Sequence, residues 1–170
     1  MTRPPAAARR FNWSRMLVYG LFPGLALVLA MAAGLLKWQD AASRSADIAR
    51  AESVQAAKAS AVALLSFRSD TVEKDVAAAR DRLTGQFLDT YTQVTREVLI
   101  PNAQERQVSA VARVAAAAPV AVAQDQAVVL LFVDQTVTAA GSPPANTVSG
   151  VRVTLDKIDG RWLVSGWEPI

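Results

Sequence analysis

The side chains of this 170-residue chain that could do chemistry are carboxylates, hydroxyls, lysine amines and guanidinium groups, because it contains neither cysteine nor histidine. That excludes disulfides, thiol nucleophiles, zinc fingers, imidazole general bases and histidine-based metal sites. Asp134 closes an apolar run and Asp156 sits in an alternating one. Both fall on faces that the alternation leaves wet, where an aspartate is solvated rather than raised in pKa by burial. The commonest general base is missing, so the pattern points away from catalysis. The expectation is no catalytic residue, no cofactor and no metal.

What positions these groups starts with an apolar run. Met16 to Leu36 holds twenty-one residues without a charge. At about 1.5 Å per residue that length crosses a hydrocarbon core of roughly 30 Å. Trp13 and Trp38 bracket it, as amphipathic indoles do at the two interfaces. Arg3, Arg9, Arg10 and Arg15 precede it with no acid among them. The positive-inside rule therefore keeps the tail cytoplasmic, in the plasma (inner) membrane, with the C-terminal part outside. Ala30-Met31-Ala32 is similar to a signal-peptidase site, but the apolar character runs on through Leu35 and Leu36, which favours a retained anchor over a cleaved signal. Gly20 and Gly24 offer a small-residue spacing for helix pairing, and Pro23 between them equally explains a kink. The expected organisation is a basic tail (1–15), a transmembrane helix (16–38), a stalk or first helix (39–67) and an exported domain (68–170).

Charge supports that division. The tail carries four arginines, whereas from Lys37 onward fourteen basic residues face fifteen acidic ones. The pI near 9.7 is thus a topology signal and not a nucleic-acid footprint. An exported domain without disulfides must be held by packing alone. Alanine, at 33 residues, dominates the composition.

Gln39 to about Phe67 lacks Gly and Pro, is alanine-rich and reads as helix. Ser69-Asp70-Thr71 carries N-cap chemistry, and Val72, Val76, Ala79 and Leu83 mark one face of a second helix closed by Thr84-Gly85. Phe87, Tyr91, Val94 and Val98 mark a third, which Pro101 ends. The period then changes to two. Val108–Ala118 reads as a strand, and so does Ala127–Ala140, with Val128 to Val133 covered on both faces. Gly141 to Asn146 reads as a loop. Val151, Val153 and Leu155 alternate into Asp159-Gly160, a two-residue hairpin turn, with Trp162, Leu163, Val164 and Trp167 returning. Helices followed by a meandering antiparallel sheet predict an α+β domain with helices on one sheet face.

That order, together with Ser69-Asp70-Thr71-Val72, Asp75, Thr84-Gly85-Gln86-Phe87, Tyr91, Pro101, the strand from Ala127 to Thr136, Arg152-Val153-Thr154-Leu155 and Asp159 to Val164, resembles the Mce-associated membrane proteins of mycobacteria and their relatives. The likeness spans roughly Trp13 to Trp167 and rests on the ordered set rather than on any one piece. The resemblance implies a single-pass protein whose exported domain is a cone-shaped, SnoaL-like (nuclear-transport-factor-2-like) fold with helices on a curved antiparallel sheet. It also implies an accessory subunit that assembles or stabilises an Mce-type machine importing lipids or sterols, with Mce-complex proteins or a permease as partners. Such cones often enclose an apolar pocket, for which Phe87, Tyr91, Phe132, Leu155 and Trp162 are the candidate lining; the same residues would serve as plain core. Two other functions stay open: a tethered lipid- or sterol-binding domain, and a small membrane-anchored isomerase or hydratase.

Overall fold

The computed structural model describes the chain from Phe22 onward, with side chains described at Met31 and from Ser45 to Ile170. The chain divides into two compact units, Met1–Arg44 and Ser45–Ile170. Trp13, Arg15 and Gly20 lie outside the described residues; Gly24 and Trp38 lie in described helix, but their side chains do not. Among the described residues no helix is long and apolar enough to cross a membrane.

Helix α1 (Phe22–Leu65) continues past the expected start of a stalk. Within the second unit its buried positions are Ala49, Ser53, Ala57, Ser60, Ala61 and Leu64, a stripe at helical spacing made almost wholly of small residues. Ala57 and Ala61 join one core with Val129, Leu131, Val133, Val153 and Leu155 of the sheet. Small side chains let the helix backbone lie close to the strands, so this face is shaped for a flat partner. The helix stops at Leu65, whose carbonyl accepts from Gln135 Nε2 at 2.8 Å, satisfying one of the orphan acceptors of a helix end.

Helix α2 (Val72–Arg80) buries Val72, Val76 and Ala79. Its N-cap Thr71 makes no capping bond with its side chain. Instead Asp75 Oδ2 accepts from Thr71 Oγ1 (2.8 Å) and from the Arg68 N–H (3.0 Å), folding the preceding turn onto the helix. Leu83, expected to continue this helix, leaves it to form a parallel bridge with Val164. Gly85, expected to end it, opens helix α3 (Gly85–Val94) with φ of +60°. A glycine between two helices serves either end, and here the bonds Thr84 N–H to Val164 O and Val164 N–H to Arg82 O, both 2.9 Å, hold residues 82–84 extended.

Pro101 does not end the third helix. A π-helical turn (Thr95–Leu99), closed by the Ile100 N–H on the Thr95 carbonyl, follows α3, and its wider spacing accommodates Pro101 in the first turn of helix α4 (Ile100–Glu105) without breaking the helix. Phe87 and Tyr91 are partly buried and Val94, at the end of α3, is exposed at the mouth of the same face; the π turn that follows shifts the helical register before Val98, which is also exposed.

Strands β1 (Ser109–Val122), β2 (Gln126–Thr138), β3 (Ala145–Ile158) and β4 (Arg161–Pro169) form one open antiparallel sheet in the order β1-β2-β3-β4. β1 runs four residues beyond its expected end and includes Pro119, tolerated because β1 is an edge. β2 is not covered on both faces: Ala127, Val129, Leu131 and Val133 are buried against the helices, while Val128 and Leu130 are half-buried and Phe132 is exposed on the other side. Asp159 and Gly160 both have positive φ, as a type I′ turn requires. All the helices contributing to the core share one face of the sheet.

Candidate functional site

The same face holds the best-formed concavity among the described residues. Leu64 and Leu65 at the end of α1, Phe87, Thr90, Tyr91 and Val94 on α3, and Trp167 on β4 line a groove of about 230 Å³. Phe87 and Trp167 lie parallel, ring centroids 6.4 Å apart, and Tyr91 tilts against Phe87 at 6.3 Å. Both distances lie within the range in which aromatic pairs attract. Phe87 and Tyr91 meet because four residues make one helical turn. Trp167 reaches them because of an irregularity. Trp162 and Val164 point to the helices, so strict alternation would send Trp167 to the other face. The register shift between Leu155↔Val164 and Thr154↔Gly166 inserts one residue and brings Trp167 opposite Val153.

No charged side chain lines this groove. Its polar rim is the hydroxyl of Thr90, which donates to the Gln86 carbonyl at 3.0 Å, and the phenol of Tyr91. Burial pushes the Tyr91 pKa up to about 12, because the surroundings disfavour a phenolate. The groove is an apolar surface with one neutral hydroxyl, suited to an alkyl chain or an apolar side chain. At about 230 Å³ it falls below the roughly 300–1,000 Å³ of pockets that enclose small molecules, so it is too small to enclose a whole sterol.

Of the five residues expected to line a pocket, Phe87 and Tyr91 line this groove. Leu155 is fully buried in the core. Trp162 is buried too, its Nε1 donating to Glu52 Oε2 at 3.4 Å under the Lys157 ammonium, which lies 5.2 Å from the ring centroid. The Lys157 hydrogen bond to the same oxygen, 3.0 Å, is the main cause that holds the Glu52 carboxyl below its ordinary pKa. Phe132 is separated from the rest by the sheet itself and is 45% exposed on the opposite face. Leu64, Leu65 and Trp167 were absent from the expected lining. The first two terminate a helix whose end the sequence leaves vague, and the third depends on the bulge.

The aspartates considered for acid–base work are engaged on the open face. Asp134 pairs with Arg113 at 2.7 Å, and Asp156 accepts from Gln126 Nε2 at 3.1 Å. Among the described residues no group of three or more acidic side chains could hold a metal ion.

A family model described as uncharacterized protein Rv1363c/MT1408-like matches residues 23–169. The outer membrane protein Rv1973 of Mycobacterium tuberculosis is 61% identical over 159 residues, 94% of this chain and 99% of that protein. Among solved structures, an IcmL-like type IV secretion system protein of Legionella pneumophila superposes with a TM-score of 0.61 at 11% identity, over 71% of this chain and 93% of that one. The VirB8 protein of Agrobacterium tumefaciens superposes at 0.53 and 13% identity, over 68% and 90%. Identities this low show a shared fold alone: helices packed on one face of a four-stranded antiparallel sheet.

Proposed function

The chain belongs to the Rv1363c/MT1408-like family, and on that premise we propose that it is a membrane-anchored, non-catalytic accessory subunit that assembles or stabilises an Mce-type lipid or sterol import complex in the cell envelope. The observation that carries this reading is the fold, which is shared with an IcmL-like type IV secretion system protein and with the periplasmic domain of DotI. The site chemistry agrees: the groove offers apolar contact and no paired acid and base. The Mce assignment itself rests on the ordered sequence resemblance. A membrane anchor would confine the domain to a plane and raise its effective concentration near membrane partners.

The relative's name refers to the outer membrane. The basic tail and apolar run favour the plasma membrane, with the N-terminus cytoplasmic. The described strands form one open four-stranded sheet, whereas membrane barrels close on themselves with roughly eight strands or more. The decisive experiment is a C-terminally tagged copy expressed in its native host and extracted in mild detergent, with co-purifying proteins identified by mass spectrometry. Near-stoichiometric recovery of Mce subunits or a permease is expected; recovery of the protein alone would refute a stable scaffold. The groove supports a second reading, a tethered lipid-binding domain, which lipid extraction from the purified protein would reveal.

A further inference from the structure

The outer edge of β1 is only partly covered. Phe67 exchanges two backbone hydrogen bonds with Ala110, at 2.9 and 2.8 Å, and Ser66 Oγ accepts from the Ala112 N–H at 2.9 Å. There the covering chain turns away into α1. From Arg113 to Val122 no backbone group of β1 bonds to anything but its neighbour β2 or its own hairpin, among the described residues. Alternation from Ala110 and Ala112 directs the Val114 N–H and C=O outward as well. The part of this edge open to another strand is the stretch around Val114; beyond it the register shifts at Val114/Ala116 and Pro119/Ala121, and Pro119 itself, blunt pairing.

A second, independent feature lies beside it. Between this edge and α1 runs an open groove lined by Gln55, Lys58, Ala59 and Val62 on the helix and by Ala112, Arg113 and Val114 on the strand. Its floor is apolar, with Val62 exposed, and its rim is cationic. Lys58 is half-buried and has no ion-pair partner among the described residues, and Arg113 has one carboxylate, Asp134. No acidic side chain lines the groove. A second copy of this chain would bring the same two cations to the seam and repel.

We propose that the Val114 edge of β1 docks an extended acidic segment of a partner polypeptide by strand addition, with a carboxylate of that segment on Lys58 and small apolar side chains against Ala59 and Val62. The backbone would supply affinity, and the alternate side chains would supply selectivity. This deepens the assembly-subunit reading by naming a partner chemistry. It is tested on purified protein, so it can fail while co-purification succeeds, and the reverse.

The probe is a fluorescein-labelled peptide of alternating Val and Glu, seven residues long, titrated by anisotropy with the full chain in detergent at pH 7. Saturable binding is expected, with slowed hydrogen exchange at Val114. Lys58→Glu should weaken it about fivefold, as expected for one ion pair. Val114→Pro removes an outward N–H without breaking a β2 bond and should weaken it at least tenfold; circular dichroism verifies that it folds, and Lys58→Glu tests the site regardless. Absence of binding, equal binding of the alternating Val/Lys peptide, or indifference to both substitutions would overturn the proposal. So would a dimer in light scattering whose Val114 amide is protected without peptide.

Discussion

Tyr91 is the residue whose chemistry the fold alters most. Its pKa is raised from an ordinary value near 10 to about 12, so the folded state favours the neutral phenol. That contribution to stability is complete below pH 10 and is lost as pH climbs through 12. Denaturant melts across this window should show stability falling in the native protein and falling less in Tyr91→Phe. Ultraviolet titration should show the substitution removing a tyrosine transition near pH 12. At pH 7 the same change should move stability by no more than about 0.5 kcal/mol, since no hydrogen bond from the phenol is present. Glu52 works in the opposite direction. Its pKa is lowered by the hydrogen bonds from Lys157 and Trp162 and by the Lys157 charge. Its stabilisation is therefore present at neutral pH and lost as acid titrates it, and Trp162 fluorescence should respond below the usual carboxylate range in the native protein but not in Glu52→Gln. At the hairpin, Gly160 has φ of +77°, so Gly160→Ala should cost roughly 1–2 kcal/mol in a thermal melt.

At the scale of elements, the sequence was most legible where side-chain period alone decides. The alternation of Val151, Val153 and Leu155, and the Asp-Gly pair at 159–160, specify the β3–β4 hairpin because pleat and turn geometry admit few alternatives. Three features depended on information that no local pattern holds. Gly85 had two helix ends to serve, and the Val164 bridge chose between them. Pro101 read as a stop because the π turn that accommodates it leaves no mark in composition. Phe132 sat in an unbroken apolar run that hid which face would meet the helices. The site was legible in the same measure: Phe87 and Tyr91 follow from helical spacing, whereas Trp167 needed a bulge. The stripe on α1 was invisible because alanine is common everywhere in this chain. Its role predicts that Ala61→Leu, at a position with no exposure, lowers stability by about 1–3 kcal/mol through overpacking, measured by chemical denaturation.

On the scale of the molecule, the unit Ser45–Ile170 contains the whole sheet and the helical stripe that covers it. A fragment beginning at Gln39 should therefore fold and melt cooperatively, with helix and strand signals in circular dichroism. An unfolded fragment would refute the division. The arrangement of the core along the chain also has a temporal consequence. Among the described residues every helix is synthesised before any strand, yet the core that holds Ala57 and Ala61 is completed by Ala112 and by residues from Ala127 to Val164, and Leu83 waits for Val164 to complete its bridge. The helices pair among themselves through Val72, Val76 and Ala103, but the core beneath the sheet stays incomplete until β4 is made. Loss of Arg161–Pro169 would strip Trp162 and Val164 from that core and leave Leu83 without its bridge, so it should yield a product cleared by proteolysis and not a shortened domain.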